Sequence, residues 1–235
     1  MLDAIGWMFV ASYTGSILML VLRRAHETGT LRKVFLVFLL WLAAELAIGI
    51  EGAGMAVPSN LLMFALTVVL LTGAWIFSPA LRRAAAGTPL NSLIGLHVWR
   101  LGGFLFLLLY LANRLPFPFA PVAAAGDMLA AVFAIGLLAA LRRGRAPGRN
   151  LVAAWNSFGM LDLIVAVGLA LLAVPGTPFQ LFTQVPAHSA FTELPWILVP
   201  AAIVPLLFFN HLAIFLNLRG ERKGTPGWSG REVRA

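Results

Sequence analysis

Apolar residues run in seven long blocks separated by short polar stretches. The blocks cover Ala4–Leu22, Val34–Gly54, Asn60–Ser78, Leu93–Ala112, Pro121–Leu141, Leu151–Val174 and Leu194–Leu218. Most approach or exceed the roughly 20 residues that cross the hydrocarbon core of a bilayer as a helix. The third is short but sufficient. The last contains Pro200 and Pro205, which a membrane bundle tolerates because neighbouring groups satisfy the freed carbonyls. A kink is expected there.

The basic residues between the blocks give the orientation. The first connection carries Arg23, Arg24, Arg32 and Lys33, the third Arg82 and Arg83, and the fifth Arg142, Arg143, Arg145 and Arg149. The tail carries Arg219, Arg222, Lys223, Arg231 and Arg234, whereas the second and sixth connections carry no Lys or Arg and the fourth only Arg114. This alternation fits an odd number of spans with the basic connections in the cytoplasm. The expected fold is an all-α seven-transmembrane-helix bundle over residues 1–219, amino terminus outside and carboxy terminus cytoplasmic. A basic, disordered tail follows at 220–235. Asp3 is the only early charge and the arginine pair follows the first block, so that block reads as a retained helix and not a signal peptide.

Composition supports the same class. Hydrophobic residues make up 60% of the 235 positions and charged residues 11%, against about 25% charged in soluble domains. The net charge of +8 lies in clusters that orient a membrane protein, so nucleic acid is not the expected partner. The bilayer is, with a homo-oligomer or a partner in a membrane complex as further possibilities. The excess of Arg over Lys, with abundant Ala and Leu, points to a bacterial chain in the cytoplasmic (inner) membrane. Cysteine is absent, which removes disulfides, thiolate metal sites and cysteine nucleophiles.

Motifs for common chemistries are absent: no phosphate-binding loop, dinucleotide fingerprint, HExxH helix or GxSxG elbow. The only lysines, Lys33 and Lys223, flank the blocks, so no retinal Schiff base can form in the last helix. The candidate chemistry therefore rests on polar residues inside the blocks, which are costly at bilayer depth. These are Glu45, His97, Arg100, Asn156, Asp162, Asn210 and His211, with Glu51 and Asp127 toward the outer rim. Counted at about 1.5 Å per residue, His97 and His211 share a depth, Arg100 lies one turn further in, and Glu45 and Asp162 fall near the midplane. His97 and Arg100 share a helix face, continued by Gly103. Trp155, Gly159, Asp162 and Ala166 form a second stripe, and Glu45, Gly49 and Gly52 a third. Small residues beside an acid indicate close helix contact. Arg100 is expected to pair with Asp162 or Glu45. The remaining tryptophans fall mostly near block ends, as an interfacial belt requires.

The stretches His97-Val-Trp-Arg100-Leu-Gly-Gly103, Leu115-Pro116-Phe-Pro-Phe-Ala120, Gly126-Asp127, Trp155-Asn156-Ser-Phe-Gly159-Met-Leu-Asp162 and Pro205-Leu-Leu-Phe-Phe-Asn210-His211 resemble an uncharacterised family of bacterial multi-pass membrane proteins. The resemblance covers roughly the carboxy-terminal 60% of the chain. It implies the fold and singles out Arg100, Asp127, Asn156, Asp162 and His211, without supplying an activity.

Four functions compete. The first is small-molecule binding or proton-coupled transport, in a cavity between the fourth, sixth and seventh helices in the cytoplasmic half of the bundle, lined by His97 and His211. The second is a structural or assembly subunit whose polar residues only tie helices together. The third is a redox protein with haem b between His97 and His211, since similar depth on two helices is what bis-histidine ligation needs. The fourth is an intramembrane hydrolase or transferase with His211 and Asp162 as a general-base pair. No resident metal or other cofactor is expected.

Overall fold

A computed structural model of the protein describes residues 1–27, 36, 39–41, 43, 47, 57–183, 186 and 189–221. Every regular element among them is helical. The long elements are α1 (Leu2–Glu27), α2 (Val57–Phe77), α3 (Pro79–Ala86), α4 (Leu90–Leu96), α5 (Phe104–Leu111), α6 (Phe119–Arg142), α7 (Arg149–Leu172) and α8 (Val204–Glu221). A 3₁₀ segment, His97–Gly103, joins α4 to α5, and a π turn, Val199–Ile203, leads into α8. Five helical stretches are long and apolar enough to cross a membrane: Leu2–Leu20, Leu90–Leu111, Phe119–Arg142, Arg149–Leu172 and Val199–Gly220. A sixth exists if Met63–Phe77 and Pro79–Ala86, bent by 89°, count as one span. The expected second span, Val34–Gly54 with Glu45 and Glu51, and the tail beyond Glu221 lie outside the described residues.

Local chemistry explains the bend. Ser78 caps α3, its Oγ accepting from the Leu81 N–H, and Pro79 occupies the first helical position, where its missing N–H costs nothing. The last carbonyls of a helix have no partner within it. Here the Arg82 guanidinium reaches back and donates to the Trp75 carbonyl at the end of α2. Past α6 the chain turns at Gly144, whose φ of +71° suits glycine. The last span begins at Val199 instead of Leu194. Residues 194–197 form turns in which Trp196, fully buried, donates its Nε1–H to Asp3 at 2.7 Å. Pro205 cannot donate to Ala201, and the π turn just before it absorbs the mismatch, with Val204 N–H donating to Val199 O.

Neither end of the bundle relies on packing alone. At one end Arg149 donates to the Leu218 carbonyl at 3.0 Å, and Asn217 donates to Ala85 at 3.0 Å. At the other, Arg114 bridges Asp3 (2.7 Å) and Glu193 (2.9 Å), and its carbonyl accepts from Ala190. Trp196, expected in an interfacial belt, is instead a core tie that holds α1, and Trp155, buried on its inward stripe, donates to the Ala130 carbonyl. Trp99 donates to Ser16 at 3.1 Å, a second attachment of α1. Such ties matter in lipid, where the hydrophobic effect contributes little to helix association.

Gly6 tests how closely α1 docks. A Cβ there would lie 2.7 Å from the Trp196 ring and 2.8 Å from Pro195, whereas one at Gly15 would meet nothing within 4 Å. Gly6→Leu is expected to destabilise by about 1–3 kcal/mol through overpacking, and Gly15→Leu to be neutral or slightly stabilising. Thermal unfolding of both variants in detergent compares them directly; equal midpoints would contradict the α1 docking.

Candidate functional site

The 3₁₀ segment orders the centre of the bundle. With three residues per turn, side chains at i and i+3 eclipse, and the three buried residues of His97–Gly103 are His97, Arg100 and Gly103. They form one inward row. Seven residues is long for this geometry, and the row places a charged side chain at its middle.

Arg100 is 2% exposed. Its Nε donates to Asp127 Oδ1 on α6 at 2.7 Å, and one terminal nitrogen donates to Asp162 Oδ2 on α7. The other donates to the Gly159 carbonyl at 3.0 Å and to His211 Nε2 on α8 at 3.3 Å. Four elements thus meet at one guanidinium. Glycines make room. A Cβ at Gly126 would overlap the Asp162 carboxyl, one at Gly103 would press on Asp127, and one at Gly159 would lie 2.7 Å from the His211 ring and 2.9 Å from the guanidinium.

The hydrogen bonds also fix the histidine tautomers. Arginine only donates, so His211 Nε2 accepts. Asn156 donates its amide to the His211 carbonyl at 3.1 Å, so its Oδ1 accepts from His211 Nδ1 at 2.8 Å. Asn210 donates to the Leu93 carbonyl (2.9 Å) and to His97 Nε2 (3.0 Å). His97, Asn156 and His211 are all fully buried. The His97 and His211 rings stand with centroids 4.2 Å apart, and Trp155 packs edge-on against His97 at 5.2 Å.

This arrangement corrects several expectations. No open cavity lies between the two histidines in that half of the bundle, because their rings touch. A haem does not fit there, since both Nε2 atoms accept protein hydrogen bonds and the ring spacing leaves no room for a macrocycle between them. His211 and Asp162 do not pair; Arg100 stands between them. Asp127 belongs to the cluster and not to an outer rim. The depth count set Asp127 and Arg100 apart because it compared backbone positions, whereas the arginine side chain reaches well beyond its own; the 3₁₀ rise of about 2.0 Å per residue instead of about 1.5 Å adds only about 1.5 Å between His97 and Arg100. Six of the seven polar residues of the expected cluster separate into an Arg100–Asp162 centre, joined by Asp127, and a layer of His97, Asn156, Asn210 and His211. Glu45 and Glu51 lie outside the described residues.

On the other side of Arg100 is a cavity of about 230 Å³, reaching from Arg100 and Asp127 to the loops around Pro116, Pro175 and Phe191. Its walls are mainly apolar, with Phe9, Trp99, Phe106 and Phe119 among them, and the π turn contributes Val199, Pro200 and Ile203. Tyr13 lines it too, and the Tyr13 hydroxyl is buried without a hydrogen-bond partner. Reading the sequence for charge missed these residues. A phenol near the middle of the first apolar block was the available signal for Tyr13, and opposite charges at the mouths of otherwise uncharged connections were the signal for Asp3, Arg114 and Glu193. Among the described residues no group of three His, Asp or Glu side chains could hold a metal ion.

Residues 57–219 match a protein family described as "Domain of unknown function (DUF8737)". The chain belongs to this family. No curated protein and no solved structure matches it. The family match takes in every member of the Arg100 cluster, whereas Phe9 and Tyr13 of the cavity lie before it.

Removing one partner from a buried ion pair leaves uncompensated charge and costs about 3–5 kcal/mol. Arg100→Leu is expected to destabilise by that amount, and Gly126→Ala to destabilise measurably because the Asp162 carboxyl must move. Gly136→Ala, where a Cβ meets nothing within 4 Å, serves as the control and should be neutral or mildly stabilising. Denaturant titrations in micelles provide the measurement; a neutral Gly126→Ala would show that the carboxyl is not held as described.

Proposed function

We propose that this protein is a small-molecule binding protein of the bacterial cytoplasmic membrane, with seven spans, its amino terminus outside and its ligand in the cavity above Arg100. The observation that carries the reading is the cavity itself, a largely apolar space that ends on an ion pair. Binding sites for small molecules are commonly concave and apolar with a few placed polar groups, and here Arg100, Asp127 and Tyr13 are those groups. At about 30 Å³ per water, the space has room for roughly seven or eight waters, or for a small organic molecule of comparable size. The alternation of basic connections supports the orientation and puts the loops around Pro116 and Pro175 outside, so the ligand enters from that side. The closed layer of His97, Asn156, Asn210 and His211 supports binding over passage through the bundle, since the path below Arg100 is filled by side chains that bond one another. That same layer favours a helix-tying role for those four residues, the second reading of the chain.

Trp99 lines the cavity, so a heavy-atom quencher reports occupancy. Titration with 4-bromophenethyl alcohol should give a saturable component above the linear quenching due to partitioning into lipid. Trp99→Phe should remove that component, and Ala166→Phe, which fills the wall, should weaken it at least about tenfold. Quenching that stays linear in the wild type would count against a binding cavity.

The orientation is tested separately. A reporter fused after Arg234 should read as cytoplasmic and one inserted near Gly176 as external. The opposite pattern at either position would refute the seven-span topology.

A further inference from the structure

Three charged side chains meet at the cavity floor: one guanidinium and the carboxyls of Asp127 and Asp162. His211 and His97 accept through Nε2, so they are neutral and add nothing. With both carboxyls ionised the cluster has a formal charge of −1, from one cation against two anions. A net charge in a low-dielectric interior is expensive unless a partner offsets it. The two acids are not equally placed. Asp127 lines the cavity with its side chain 15% exposed, whereas Asp162, 9% exposed, is not among the lining residues. Asp127 Oδ1 accepts from Arg100, which leaves Oδ2 as the carboxylate atom free to meet a ligand.

The aromatic lining has the same preference, and Tyr13 is compatible with it. A phenol both donates and accepts, so the Tyr13 hydroxyl, buried and without a partner among the described residues, can accept a hydrogen bond from a donor placed between it and Asp127. Phe9 and Trp99 stand edge to face with centroids 6.5 Å apart, and Phe106, Phe119 and Phe191 form a second aromatic group with spacings of 5.4–6.0 Å. Aromatic faces attract cations by electrostatics, most strongly where water is excluded. An anion would find little in return: the Arg100 guanidinium is already held by Asp127, Asp162, Gly159 and His211. Of the hydroxyls near the mouth, Thr192 donates to the Ser189 carbonyl, and Ser189 Oγ accepts from the Phe191 N–H, which leaves an anion the Ser189 proton alone of these two.

We infer that the ligand of this cavity is a lipophilic organic monocation, an ammonium ion whose head lies between Asp127 and Tyr13 and whose apolar body rests against the aromatic walls. The inference rests on the cavity being a binding site and names the chemical class that the site selects. Asp127 supplies the counter-charge, Tyr13 orients the N–H group, and Arg100 holds Asp127 in place while preventing an anionic head from taking over its donors.

The test compares three probes of nearly equal size against the brominated alcohol used above: 3-phenylpropylammonium, 3-phenylpropanol and 3-phenylpropanoate. At pH 7 the amine is protonated, as a lysine side chain is. The ammonium ion is expected to displace the brominated probe at concentrations at least about tenfold lower than the alcohol, with the carboxylate weakest. Asp127→Asn should abolish the preference for the cation. Tyr13→Phe, which leaves every ion pair intact, should reduce it several-fold and decides the matter if Asp127→Asn does not fold. An alcohol that competes as well as the amine, or a carboxylate that competes best, overturns the cation inference while the cavity keeps its binding role. A Tyr13→Phe variant with the wild-type ranking overturns the placement of the head group. If the brominated probe itself shows no saturable site, both readings fall together.

Discussion

A guanidinium presents five N–H donors and keeps its charge at any physiological pH, so an arginine buried in a helical bundle obliges the surrounding chain to bring acceptors to it. Arg100 receives them from three helices: carboxylates from α6 and α7, a backbone carbonyl from α7 and a ring nitrogen from α8. No two of these helices can slide past each other without breaking a bond to the same group. The interaction is therefore better understood as a register pin than as a source of net stability, because desolvating such charges offsets much of what their attraction contributes.

Backbone geometry adapts to that pin. The helix carrying Arg100 tightens into a 3₁₀ segment that lines up His97, Arg100 and Gly103, while the helix carrying His211 begins with a π turn that widens it. One departure narrows the backbone and brings it toward α6; the other accommodates two prolines and shapes the wall above. Glycines at 103, 126 and 159 complete the fit, each standing where a methyl group would strike a member of the cluster. The polar side chains and the small residues form one arrangement, and neither set is interpretable without the other.

Much of this was legible in the sequence, and the reasons for the rest are specific. Long apolar blocks and the cost of intramembrane charge were enough to single out helical spans and the pairing of Arg100 with Asp162. Asp127 was set apart because depth was counted along the backbone, which leaves out the reach of the Arg100 side chain. Trp196 read as interfacial because its position in a block says nothing of which way the indole faces. The cavity was invisible for a different reason: its walls come from α1, the 3₁₀ segment, α5, α6, α7 and the π turn, and no local pattern announces a space that several separate segments leave unfilled. Tyr13 was passed over because a hydroxyl within an apolar block carries no charge to mark it, although it is one of the few polar groups the cavity has.

Residues 57–219 contain the whole ionic centre, whereas Phe9 and Tyr13 come from a helix that precedes the match and is held by the core packing of Val10, Tyr13 and Ile17 and by polar ties of Asp3 with Arg114 and Trp196 and of Ser16 with Trp99. The charged anchor and the first-helix wall of the cavity are thus separate pieces of the chain: one lies wholly within the matched region, and the other is brought to it by docking.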